Sequence, residues 1–274
     1  MIRLAVRVPR ESAEIVLAEL VELAPGGVEE VDRGDGLVEY AIYGAEGELP
    51  ALPELDAAAG DVPVEVSSSV VADDWAERWR DFHRSVAVAA GGRRVVIAPP
   101  WEAGTGPETV VIDPGRAFGT GAHPTTRLCL ELLLERTPGG SCVDLGCGSG
   151  VLAICAARLG WAPVAALDHD PASVEATSAN AVANGVCVDV TRFDLLRDGP
   201  APGASLVMAN LLRPLLLALA DGGIEGMEPQ AMIAGGLLAG EADELSGALA
   251  DAFGLEEVGR RVEGDWAALS LELS

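Results

Sequence analysis

Apolar and polar positions alternate with period two over residues 2–8, as in a half-buried strand. Residues 11–24 then carry Ile15, Leu17, Leu20, Val21 and Leu23 at helical spacing, and Pro25, Gly26 and Gly27 stop the helix. Further strands are predicted over residues 28–31, 37–43 and 62–71, the first two separated by a turn-rich Asp-Arg-Gly-Asp-Gly. Together these elements predict a small α+β unit, ferredoxin-like in its order, that suits a recognition module better than a catalytic core. Residues 73–83 read as a capped helix with Trp75, Trp79 and Phe82 on one face. That stripe fits a helix packed onto a domain and equally one that connects two domains.

From about residue 86 the pattern changes to short strands and then to alternating strands and helices. Strands are predicted over residues 142–145, 164–167, 186–190, 206–209 and 231–234. Helices are predicted over 127–136, 151–159, 172–184, 215–222 and 242–253. Strand–helix alternation predicts an α/β fold, a mostly parallel sheet with helices on both faces. Two strand-like segments at the end, residues 256–262 and 266–273, predict an antiparallel hairpin at the sheet edge. The expected organisation is an N-terminal α+β domain over 1–70, a linker helix and connecting strands over 71–100, and a catalytic domain over 101–274.

Composition narrows the chemistry. The chain has 274 residues, 49% of them hydrophobic, so a large buried core is available. Its net charge of −25 opposes phosphate backbones and anionic membranes and favours a basic protein partner. All 18 basic residues are arginine. Without lysine there is no P-loop lysine and no Schiff-base nucleophile. The three histidines (His83, His123, His169) never stand four residues apart, which excludes a zincin helix, and no metal site is expected. Five cysteines form no C-x-x-C pair and read as buried hydrophobes in a reducing compartment. With no signal peptide and no membrane-spanning run evident, the expected location is the cytoplasm.

The candidate chemistry sits at the strand ends. VDLGCGSG (residues 143–150) places Gly146, Gly148 and Gly150 between a strand and a helix, where a bare backbone approaches a cofactor closely. The G-x-G-x-G spacing differs from the G-x-G-x-x-G of dinucleotide binders and counts against a nicotinamide oxidoreductase. Asp168 closes the next strand, placed to accept hydrogen bonds from both hydroxyls of a ribose. Asp170, before Pro171, takes the helix-capping role and leaves Asp168 without one. Asp194 follows the third strand, where an acid meets an adenine amino group or simply closes a turn. Asn210 ends the fourth, as a holder of a cofactor's amino-acid part, an acceptor for an incoming amine, or a helix cap. Upstream, DPGRAFGTGAHPTT (residues 113–126) has a flexible Phe118-Gly119-Thr120-Gly121 loop able to cover a ligand, with Thr125 and Thr126 at a helix start that suits a carboxylate. His123 reads as a structural loop residue or a base.

At these residues the chain resembles the bacterial ribosomal protein L11 methyltransferase (PrmA) family. DPGRAFGTGAHPTT, VDLGCGSG, LDHDP (167–171), ANLL (209–212) and DWAERWRDF (74–82) carry the likeness, over roughly residues 73–273. The residues after ANLL depart from the family pattern. The resemblance implies a Rossmann-like class I methyltransferase sheet with S-adenosylmethionine as cofactor. It implies cofactor contacts at Thr126, Gly146, Asp168, Asn210 and the Phe118, Gly119 and Thr120 loop, to which the reading of the strand ends adds Gly148 and Asp194 as cofactor contacts and Asn210 as the catalytic residue. The implied activity is N-methylation of amines of ribosomal protein L11, gripped by the N-terminal domain. The alternatives are the same chemistry on another protein or a small molecule, or a binding module that keeps the fold without catalysis.

Overall fold

A computed structural model describes residues 2–10, 16, 29–32, 36–44, 65–70, 83–104, 106–114 and 121–273. The chain divides into two compact units, Met1–Phe82 and His83–Ser274.

In the first unit, β1 (Ile2–Pro9), β2 (Glu29–Asp32), β3 (Leu37–Gly44) and β4 (Glu65–Val70) form one antiparallel sheet of order β2-β3-β1-β4. This is the order of a ferredoxin-like sheet. Alternation in β1 buries Leu4, Val6 and Val8, while fully buried Glu39 on β3 is neutralised by Arg3 and Arg7 of β1. The helix expected over 11–24, apart from helical Val16, and most of the aromatic helix over 73–83 lie outside the described residues.

The second unit opens with a small sheet, β5 (Val86–Ala90), β6 (Arg93–Ala98) and β7 (Thr109–Val111). Then come α1 (Pro124–Glu135), β8 (Cys142–Leu145), α2 (Val151–Leu159), β9 (Val164–Asp168), α3 (Pro171–Ala183) and β10 (Asp189–Arg192). After the two-residue β11 (Ala201–Pro202) follow β12 (Leu206–Asn210), α4 (Arg213–Gly222) and β13 (Ile224–Glu225). The chain closes with β14 (Ala231–Leu238), α5 (Ala242–Phe253), β15 (Leu255–Glu263) and β16 (Trp266–Leu273).

Seven strands form the main sheet in the order β10-β9-β8-β12-β14-β16-β15, parallel from β10 to β14 and antiparallel at β16 and β15. This is the doubly wound α/β sheet with the edge hairpin that the alternation predicts. Leu206, Met208 and Ile233 face one core together with α1 and α2; Val207, Ala209 and Met232 face the other with α4 and α5. Strands buried on both faces are mostly apolar, which is why β8, β12 and β14 read as apolar runs interrupted only by Asp144 on β8 and Asn210 at the end of β12. Strand order reverses between β8 and β12, and that crevice is where open α/β sheets bind ligands.

Candidate active site

The loop after β8 (residues 146–150) runs through Gly146, Gly148 and Gly150, all at positive φ. A Cβ on Gly146 would lie 2.3 Å from Leu211 Cδ2, and one on Gly150 would lie 2.6 Å from Thr177 Cγ2, so a side chain at either position would have to displace its neighbour as well as adopt a positive φ. Asp168, 8% exposed at the end of β9, accepts hydrogen bonds from Gly148 N (2.9 Å) and Asp170 N (3.0 Å). Asp170 caps α3 as its sequence position predicts. Asp168 nonetheless has backbone work of its own, because the turn of the glycine loop aims the Gly148 N–H at the neighbouring strand end. Each of its oxygens retains acceptor capacity for a ligand hydroxyl.

Across the switch point, Asn210 ends β12. Its Oδ1 is buried without a hydrogen-bond partner. It does not cap α4, whose N-cap is Leu212. Thr126, in the first turn of α1, is fully buried, and its Oγ1 also lacks a partner. Buried polar atoms are rarely left unpaired, and two beside one crevice fit a polar ligand there. Thr126 adds a helix N-terminus, which favours an anionic group such as a carboxylate.

His123 is the N-cap of α1. Its Nδ1 lies 2.8 Å from Thr125 Oγ1, and its ring meets Trp266 edge-on at 5.0 Å. Burial and the nearby Arg127 lower its pKa, so the neutral ring is favoured, and the ring serves as the helix cap. Gly121 is buried, with Ile97 of β6 in the space of a Cβ (2.9 Å), which pins the end of the upstream loop to the small sheet. Phe118, Gly119 and Thr120 lie outside the described residues. Asp194 stands just beyond β10, but its Oδ1 accepts from Leu196 N (2.9 Å) and Oδ2 lies 3.6 Å from Arg197, so the carboxylate organises a turn.

A set of residues that motif reading passes over holds the loops in place. Ser173, Thr177, Asn180 and Asn184 follow one face of α3. Thr177 Oγ1 donates to Gly148 O (2.8 Å), and Asn180 Nδ2 donates to Ser149 O (2.9 Å). Asn180 Oδ1 also accepts from Asp113 N (3.0 Å), and Asn184 exchanges two hydrogen bonds with the backbone of Val111. One helix face thus ties the glycine loop to the segment leading into residues 113–126. The signal was present as polar residues at i, i+4, i+7 and i+11.

Asp144, on β8 below the loop, is 1% exposed. Its Oδ2 accepts from Ala153 N (3.1 Å), while Oδ1 has no partner. Burial pushes this carboxyl up from 3.8 to about 7, with the Asp168 charge adding to the effect. The unfolded chain ionises Asp144 near its ordinary value, whereas the folded chain holds the proton to about pH 7. Its contribution to stability is therefore complete below about pH 4, falls as pH rises to about 7, and is flat above. Asp144→Asn removes this ionisation. Urea denaturation of the ligand-free protein at several pH values should show a shallower loss of stability between pH 4 and 7 than in the unaltered chain.

Residues 45–273 match the family profile described as ribosomal protein L11 methyltransferase (PrmA). The chain belongs to this family. A ribosomal protein L11 methyltransferase of Pelotomaculum thermopropionicum is 34% identical, covering 99% of this chain and 98% of its own. One from Herpetosiphon aurantiacus is 36% identical over 77% of this chain and 72% of its own. The crystal structure of a ribosomal protein L11 methylase from Lactobacillus delbrueckii subsp. bulgaricus superposes with a TM-score of 0.59 at 26% identity. It covers 70% of this chain and 99% of that one. The glycine loop, Asp168 and Asn210 come from loops and ends of the parallel strands β8, β9 and β12, and Thr126 from the first turn of α1.

Proposed function

We propose that this protein is an S-adenosylmethionine-dependent N-methyltransferase whose acceptor amines belong to ribosomal protein L11. The observation that carries this reading is the pair of buried oxygens without a partner, Thr126 Oγ1 in the first turn of α1 and Asn210 Oδ1 at the end of β12, in a PrmA family chain. When bound, the cofactor supplies an electrophilic methyl group on a sulfonium.

In this reading Asp168 accepts the ribose hydroxyls, and Gly146 and Gly148 let the backbone lie against the adenosyl part. Asp194 borders the adenine side beyond β10. The first turn of α1, with Thr126, receives the carboxylate of the methionine part, and the Phe118, Gly119 and Thr120 loop covers the ligand. Asn210 Oδ1 accepts a hydrogen bond from the incoming amine and so turns its lone pair toward the reacting centre. The amine must arrive neutral, since an ammonium has no lone pair, and a dry crevice favours that form. The N-terminal unit is the recognition module, within the domain division over 1–70, 71–100 and 101–274. No helix among the described residues is long and apolar enough to cross a membrane, and the cytoplasm, where L11 meets its modifying enzymes, is the compartment this reading requires.

Calorimetric titration with S-adenosylmethionine, with NAD in parallel, tests the cofactor; transfer of labelled methyl groups to purified L11 tests the acceptor. Binding of the first alone together with labelled L11 is the expected result, and NAD binding would overturn the reading. Asn210→Ala removes one acceptor from a desolvated site, a loss of about 1.5–3 kcal/mol. It should lower kcat for L11 by roughly 10- to 100-fold. An unchanged kcat would remove Asn210 from the reaction.

A further inference from the structure

The carboxyl edge of the sheet continues past the crevice in a direction the cofactor residues do not use. Three adjacent strands, β12, β14 and β16, present an apolar residue there: Leu212 just beyond β12, Leu238 at the end of β14, and Trp266 at the start of β16. Leu212 is 64% exposed and Leu238 43%. Their positions are set by the backbone beneath. Leu211 N donates to Gly235 O (3.0 Å), and the Leu211 backbone lies flat against Gly236, which leaves Leu212 outside. Leu238 is paired in register with Trp266, and Ala239 N donates to Asp265 O (2.8 Å), so the three strand ends form one connected edge.

Acidic residues surround this edge: Glu241, Asp243, Glu244, Glu263 and Asp265. Arginines answer three of them, with Arg260 at Asp243, Arg213 at Glu244 and Arg127 at Glu263. Glu241 and Asp265 form no ion pair among the described residues, and Glu241 instead accepts from Leu238 N (2.8 Å). Two exposed leucines thus share an edge with two carboxylates that form no ion pair among the described residues, although Glu241 also acts on the Arg213 charge, and Leu212 directly follows the Asn210–Leu211 segment. Among the described residues of these strand ends the aromatic ring is Trp266, which His123 engages edge-on.

We infer that Leu212 and Leu238, on an edge that also carries Glu241 and Asp265, are the catalytic unit's own docking surface for the acceptor, in addition to the recognition assigned to the N-terminal unit, and take a lysine-bearing segment of a basic protein. The inference rests on the methyltransferase reading and adds which surface selects the acceptor. A lysine carries an aliphatic stem that covers apolar surface and a charged head that seeks carboxylates. The leucines hold the stem of the target side chain, and the two carboxylates attract neighbouring cationic groups of the same segment. Charge on such a rim acts chiefly on encounter and on salt dependence.

The test uses the full chain with S-adenosylmethionine and L11. Leu212→Ser with Leu238→Ser, both at exposed positions, should raise KM for L11 about tenfold while calorimetric affinity for S-adenosylmethionine stays within about twofold. Asp265→Asn with Glu241→Gln, which keeps an acceptor for Leu238 N, should raise KM less and flatten its dependence on salt. Unchanged KM and salt dependence in both variants, with L11 methylated normally by the unaltered enzyme, would overturn the docking surface and leave the methyltransferase reading standing. If the unaltered enzyme binds S-adenosylmethionine but methylates ribosomal RNA fragments and not L11, the acceptor reading falls and the docking surface with it.

Discussion

Asp168→Ala is expected to weaken S-adenosylmethionine binding by about two orders of magnitude while the fold persists. The carboxylate stands 8% exposed at the end of β9, beside the point where strand order reverses. It is committed to Gly148 N and Asp170 N, yet each oxygen keeps a lone pair for a ribose hydroxyl. Hydrogen bonds to a charged acceptor contribute about 1.5–3 kcal/mol each, so losing two amounts to roughly 3 kcal/mol or more, a hundredfold in Kd. Freeing Gly148 N also loosens the loop that approaches the adenosyl part. Asp168→Asn keeps one acceptor oxygen and loses the charge, so a smaller loss, about tenfold, is expected. Calorimetric titration measures both, and far-UV circular dichroism checks the fold. Collapse of the helical signal in Asp168→Ala would make this residue a structural one, and unaltered affinity would remove it from the cofactor site.

Gly236→Ala is expected to be a strongly damaging single-methyl change in the catalytic unit. Gly236 has φ +78°, and a Cβ there would lie 2.5, 2.8 and 2.9 Å from the O, C and N atoms of Leu211. These are backbone atoms and cannot swing aside. The variant must strain its own backbone, at about 1–3 kcal/mol. It must also push the Leu211 segment off β14, with loss of the Leu211 N to Gly235 O hydrogen bond. Together these predict a stability loss of about 3–5 kcal/mol and a Tm lowered by roughly 10 °C. Asn210 precedes the displaced residue, so transfer activity should fall even below the melting range. Gly240→Ala is the matched control: its Cβ would meet nothing within 4 Å and its φ is ordinary, so its stability should change by no more than about 0.5 kcal/mol. Thermal unfolding of the two variants side by side decides the matter. Equal melting temperatures would mean that the Leu211 segment yields to the added methyl at no cost.

Much of the catalytic unit was legible along the chain. The helices over Val151–Leu159 and Ala242–Phe253 and the strands over Cys142–Leu145 and Trp266–Leu273 begin and end where the periodicity and the glycine stops place them. The reason is local: burial of one helix face or of alternate strand positions leaves its period in the sequence. The apolar pattern predicts a strand over 186–190, whereas β10 runs over Asp189–Arg192, three residues later at its start and two at its end, because an exposed edge strand of Asp, Val, Thr and Arg carries little apolar signal. The two-residue strands β11 and β13 are too short to leave any period.

The sequence by itself determined the element types, the glycine loop, and the carboxylate and amide at successive strand ends, because each is a matter of residues adjacent in the chain. Tertiary structure alone decided what those residues touch. It placed β12 beside β8, so that the strand ends carrying Asn210 and the glycine loop are neighbours at the switch point. It gave Asp168 the Gly148 N–H to hold and turned the polar stripe of α3 into a brace for two loops. It closed the space around Asp144, which in water would be an ordinary acid. Contacts between residues distant in the chain are set by how whole elements pack, and periodicity along one element carries no record of its neighbour.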